Sequence, residues 1–169
     1  MVDRLPVNDK KMIQPLGTSS GSACLQCGAS LPAGYTCSDL FYAAQLKEIE
    51  DPEYYSVHHL IVPCYMLQHD TYSRQGWMEV YQLLEQFHAG LTPQDARQMI
   101  TKKMAGGKKA FSLTKGERMP GLGTVQWQWT IGQIRLDTAG HYCEDVRQWA
   151  ESILEDARFL VDQSLRDGD

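Results

Sequence analysis

Three of the chain's five cysteines fall within fourteen consecutive positions, in CLQCGASLPAGYTC from Cys24 to Cys37, and this cluster restricts the fold more than any other feature. An odd cysteine count with no export signal at the N-terminus argues against a disulfide framework, leaving metal binding, catalysis or burial as uses for the thiols. Cys24 and Cys27, followed by Gly28, have the two-residue spacing that turns adjacent thiolates toward one tetrahedral ion, with Gly28 permitting the tight turn. Cys37 lies ten positions further on, at the predicted start of a helix, where the helix dipole favours the thiolate that zinc requires. Three soft donors select Zn(2+) over magnesium or calcium, with iron chemically open. A redox pair of the thioredoxin type normally follows a strand, and none is predicted before Cys24.

The 169 residues suit one domain able to bury a core without disulfides. A hydrophobic share of 43%, a charged share of 22% and a net charge of -5 describe a mildly acidic globular chain, with no bulk electrostatic push toward nucleic acid. The opening MVDRLPVNDKKMIQPLGTSS has no apolar run of a secretory signal, and LIVPCYML from Leu60 to Leu67 is far shorter than the roughly 20 residues that span a bilayer. The expected location is cytoplasmic, with reduced thiols.

Hydrophobic periodicity predicts an all-α, single-domain helical bundle with an N-terminal cysteine-rich zinc-binding loop. Residues 1–23 read as a disordered leader and 24–169 as the domain, with 24–37 the metal-binding loop. A first helix follows Ser38, its apolar positions at Leu40, Phe41, Ala44 and Leu46 to Ile49. Asp51 and Pro52 suit the start of a second helix carrying EYYSVHHLIVPCYMLQH, which Pro63 is expected to kink. Ser73 caps a third, with Trp77, Val80, Tyr81, Leu84 and Phe87 on one face and Gly90 at its end. Thr92 and Pro93 start a fourth that stops at Gly106 and Gly107. The Lys/Gly-rich stretch of 102–130 is expected to cross the surface as a long loop. One last amphipathic helix carries Tyr142, Val146, Trp149, Ile153, Ala157 and Leu160 on a single stripe.

Hairpin geometry bears on the fourth metal ligand. If the first two helices fold back about Asp51, equal rises of roughly 1.5 Å per residue set Cys37 opposite Met66 to His69, making His69 the nearest histidine. His58 shares the face of His69 but lies about 16 Å down the axis. His141, at the start of the last helix, is a third candidate.

CLQCGA, Cys37 before an FxxxL-type helix, DPEYYSVHHLIVPCYMLQH, and WTIGQI followed by His141 and VRQWAES together resemble domain-of-unknown-function family 5946, a family of uncharacterised bacterial proteins. The resemblance covers most of residues 24–155. Its second block usually reads YxxVHxLTVDAYxxQH, so His58, Tyr65, Gln68 and His69 match, His59 is an addition, and Pro63 and Cys64 replace Asp and Ala. A carboxylate at position 63 therefore has no counterpart here. The resemblance implies a helical fold and the metal ligands Cys24, Cys27, Cys37 and His69, but no activity.

Two further groupings carry chemistry. His141 and Asp145 are one helical turn apart, so the carboxylate can orient the imidazole, and with His58 they are the catalytic candidates if the last helix packs on the second. No nucleophile motif such as GxSxG accompanies them. Lys102, Lys103, Lys108, Lys109, Lys115 and Arg118, opposed only by Glu117, concentrate positive charge, with Phe111, Trp127 and Trp129 as stacking surfaces. Three functions follow: a zinc-stapled helical protein acting through contacts with a protein partner; a metal-dependent hydrolase or transferase holding its ion on His58, His69 and His141; and a phosphate or nucleic-acid binder using the lysines. The first ranks ahead, because three cysteines and a histidine close a zinc site with protein atoms.

Overall fold

Helix α1, Cys37–Glu50, begins at a Thr36 N-cap whose hydroxyl accepts from the Asp39 amide while Asp39 accepts from the Thr36 amide. This reciprocal pair satisfies amides that the first helical turn leaves without partners. The computed structural model describes residues 21–105 and 113–166, the side chains of 103–105 excepted. Residues 1–20 of the expected 1–23 leader and the lysines at 108 and 109 lie outside the described residues, whereas Ala23 pairs in an antiparallel bridge with Ser30.

The described residues form a helical bundle with no strand. A 3-10 turn, Tyr54–Val57, leads into α2, His58–Gln68, followed by α3, Arg74–His88, α4, Pro93–Ala105, α5, Ala139–Asp156, and α6, Arg158–Arg166. Asp51 does not cap α2; its side chain accepts from the Glu53 amide and shapes the turn before it. Pro63 lies inside α2, which continues through it, although its missing N–H leaves the His59 carbonyl without its helical donor.

The expected phase of α1 is corrected. Leu46 and Ile49 are exposed, and the buried residues are Cys37, Phe41, Ala44 and Glu48, which recur at helical spacing with an acid among them. The other faces match expectation. Ser73 caps α3 and Trp77, Tyr81 and Leu84 are buried along it. Tyr142, Val146, Trp149, Ile153, Ala157 and Leu160 are all buried, but the stripe crosses a break at Ala157, so two helices share it. α5 is the central element, packing on α2, α3 and the Tyr54–Val57 turn. None of the described helices is long and apolar enough to cross a membrane.

The segment after α4 is more buried than a surface crossing. The Ser73 amide donates to the Leu113 carbonyl and the Arg74 amide to the Glu117 carbonyl, while Met119, Leu122 and Val125 are buried in the core. Trp127 and Trp129 pack against that core, and the Arg118 guanidinium donates to the Thr71 carbonyl at 2.8 Å. Phe111 lies outside the described residues. Ile131–Gln133 then makes a 3-10 turn beside the N-terminal loop. A Cβ on Gly132 would stand 2.8 Å from the Ser30 carbonyl oxygen, so this close approach requires glycine.

Candidate metal centre

The residues from Cys24 to Gly28 fold into a tight turn closed by the Gly28 amide donating to the Cys24 carbonyl at 2.9 Å. Gly28 takes a φ of 73°, in the left-handed region where a side chain is strained. The Cys24 amide donates to the Ala29 carbonyl and the Leu31 amide to the Ser22 carbonyl, which fastens the loop into a short ribbon. This ribbon carries Cys24 and Cys27 to the start of α1, where Cys37 is the first helical residue, and to the end of α2, where His69 is the C-cap.

The ligand atoms of Cys24, Cys27, Cys37 and His69 all lie within 4.8 Å of one another. Cys27 Sγ is 3.5 Å from Cys37 Sγ, and Cys24 Sγ is 3.9 Å from His69 Nε2. Zinc–sulfur bonds of about 2.3 Å and a zinc–nitrogen bond of about 2.0 Å at tetrahedral angles separate donors by roughly 3.5–3.8 Å. The two shorter separations are near those values, and the four donors together could hold one metal ion. Cys27 and Cys37 are buried, so little water reaches that side.

The histidine is oriented by its other nitrogen. His69 Nδ1–H donates to the Tyr65 carbonyl at 2.7 Å, which leaves the Nε2 lone pair facing the sulfurs. The Tyr65 ring stacks on both His69 and Phe41, with ring centres 4.1 Å apart in each case, and clamps the imidazole against α1. Gln26 reaches over the turn to donate to the His69 carbonyl at 3.3 Å. Thr36, Tyr65 and Gln26 thus support the cluster from outside it.

Three thiols this close cannot all ionise beside one another without a cation. The Cys37 thiol donates to Cys27, and this bond, opposed by burial and aided by His69, brings the Cys27 pKa down to about 4. Cys37 is pushed up by keeping that proton and by burial. Burial disfavours a charged His69, but hydrogen bonds to Cys27 and the Tyr65 carbonyl prevail and raise it. One negative charge is thus held beside one proton-accepting imidazole, and a divalent ion would allow the remaining thiols to ionise.

The other sequence candidates are partnered separately. His58 Nδ1 lies 2.7 Å from Glu48, and His141 Nδ1 lies 3.0 Å from Asp137 on the surface. Asp145 is buried and accepts from Arg135 at both oxygens, at 2.9 and 2.7 Å. His58, His141 and Asp145 do not join a metal-holding group among the described residues. Glu48 was missed by sequence reasoning; its only signal is its position four residues after Ala44 and seven after Phe41, in phase with the buried face.

Arg135 holds the Asp145 carboxyl below the usual carboxylate range, chiefly through its hydrogen bonds. Asp145 therefore stays ionised in the folded chain at pH values where the unfolded carboxyl, with a pKa of about 3.9, is protonated. Its stabilisation is complete above that value and is lost as pH falls through the lower folded value. Acid unfolding followed by circular dichroism should shift to higher pH in Arg135→Gln, and an unchanged acid midpoint would contradict the pairing.

The model of a family of unknown function, DUF5946, matches residues 22–158. No curated protein and no solved structure matches the chain.

Proposed function

We infer, for a chain that belongs to the DUF5946 family of unknown function, that Cys24, Cys27, Cys37 and His69 hold one zinc ion whose work is structural. The observation carrying this reading is the convergence of four donors, all within 4.8 Å of one another, from three separate parts of the chain. Four protein ligands leave no position for water or substrate, unlike catalytic zinc, which keeps one open. Three thiolates also donate enough charge to make the ion a weak Lewis acid. The metal then acts as a latch, joining the 22–31 ribbon, the start of α1 and the end of α2 into one rigid end of the bundle. The biological output is contact with a protein partner at that end, and five cysteines outside any disulfide suit a reducing compartment such as the cytoplasm.

A chelator challenge tests the latch. The full chain, purified with zinc in the medium, should carry one zinc per molecule and lose it to a strong chelator. Limited proteolysis should then cut within residues 21–36 before the bundle opens, because the ribbon is held by few backbone bonds once its metal is gone. Absence of zinc from the purified chain, or a cleavage pattern the chelator does not change, would count against this function.

A further inference from the structure

Glu48 is 4% exposed on α1, and the metal cluster does not use it. Both its oxygens are engaged: the Tyr142 hydroxyl donates to Oε1 at 2.9 Å, and Oε2 lies 2.7 Å from His58 Nδ1. An acid that merely tied α1 to α5 could be exchanged for an apolar side chain with little loss of stability, since desolvation offsets most of a buried pair's attraction. A carboxylate placed at Nδ1 has a second consequence. It fixes the imidazole orientation and leaves Nε2 as the nitrogen free for a ligand.

His58 stacks on Tyr55, with ring centres 4.7 Å apart, and lines a cavity of about 410 Å³ between α2, α3 and α4. That size lies within the range of small-molecule sites. Leu83, Phe87, Pro93 and Ile100 make much of the wall apolar, and Tyr55, Ser56, His58, His59 and Arg97 bring polar groups to it. Among the described residues that line the cavity none is acidic, and Glu48 stands directly behind His58. His59, beside Phe87, has its pKa lowered by burial first and then by the charge of Arg147.

We propose that this cavity binds a small organic acid, its apolar body against Leu83, Phe87 and Ile100 and its carboxylate on His58 Nε2 and Arg97. Glu48 is the positioning residue: it accepts from His58 Nδ1–H and leaves Nε2 for the acid, whose own proton is shared between Nε2 and the bound carboxyl group. The site lies apart from the cysteine cluster and does not depend on the zinc reading.

Octanoate is a suitable probe, with octanol and octylammonium as neutral and cationic controls of the same chain length. Titrated into the full chain and followed by imidazole nitrogen resonances, octanoate should bind saturably and shift the His58 ring. His58→Gln and Arg97→Gln should each weaken it about tenfold, the loss for one charge-assisted hydrogen bond, and the two controls should bind about tenfold more weakly. Ile100→Trp, which fills the cavity, should abolish binding. Arg97 is exposed, so its variant keeps the test valid if His58→Gln does not fold. No saturable octanoate binding below about 10 mM, equal binding of octanol, or undiminished binding in the Arg97→Gln variant would overturn the proposal.

Discussion

Replacing Cys27 with serine is expected to abolish stoichiometric metal binding and lower the melting temperature by about 10 °C, from about 3–5 kcal/mol of lost stability at roughly 2–4 °C per kcal/mol. Full zinc-finger sites are worth more, about 10–16 kcal/mol, but those peptides have no other core. Here the core runs from Cys27 to Leu160 and most of it lies outside the ribbon, so the coupling between ribbon and bundle is what is lost. Cys27 is the sharpest choice because it is 3% exposed and its sulfur meets both Cys37 and His69. Cys143→Ser is the matched control. Its thiol contacts the Ser56 hydroxyl at 3.2 Å and the Glu53 carbonyl, partners a hydroxyl can keep, and it is not in the cluster. Inductively coupled plasma analysis and a thermal melt on both variants read the prediction; equal metal content in the two would contradict it.

Trp149→Ala should lower stability by a similar amount through a different cause, and should leave the zinc in place. The ring is 0% exposed at the middle of α5, where that helix meets α2 and α3. Deleting it removes a large buried area and opens a void that rigid neighbours fill only in part, a loss of about 3–5 kcal/mol. Metal content per folded molecule should match the parent, because His69 and the ribbon are anchored by α1, α2 and the Ile131–Gln133 turn. A chelator should then lower the melting temperature of Trp149→Ala by about the same increment as it lowers the parent's, since effects at separate sites add. Loss of zinc from the folded variant would show instead that the bundle core and the latch are one unit.

How much of this was legible depends on how local each cause is. The stripes through Trp77, Tyr81 and Leu84 and through Tyr142 to Leu160 are written in helical spacing, and the Ser73 cap adjoins its helix. The phase of α1 is not local. Leu46 and Ile49 look like core, but Glu48 is buried because its partners arrive from α2 and α5, far along the chain. The segment around Met119, Leu122 and Val125 has a loop's composition, yet its residues fill gaps that other helices leave.

The candidate metal site divides in the same way. The spacing of Cys24 and Cys27 before Gly28 is local chemistry, and hairpin arithmetic carried His69 toward Cys37. His58 and His141 are held elsewhere, by Glu48 and Asp137. Tyr65 was visible only as one matched position in the block that resembles the family's second motif. Its stacking between Phe41 and His69, and the carbonyl it offers to the imidazole, emerge only once α1 and α2 are side by side.

X-ray absorption at the zinc edge, on the full chain as purified, tests the account at its centre. One zinc per molecule should show a shell of three sulfurs at about 2.3 Å and one imidazole nitrogen at about 2.0 Å, with no open position. Substituting His69 should exchange the nitrogen scatterer while keeping the three sulfurs. A spectrum dominated by nitrogen and oxygen, fewer than three sulfurs, or no bound zinc at all would contradict a closed latch of Cys24, Cys27, Cys37 and His69.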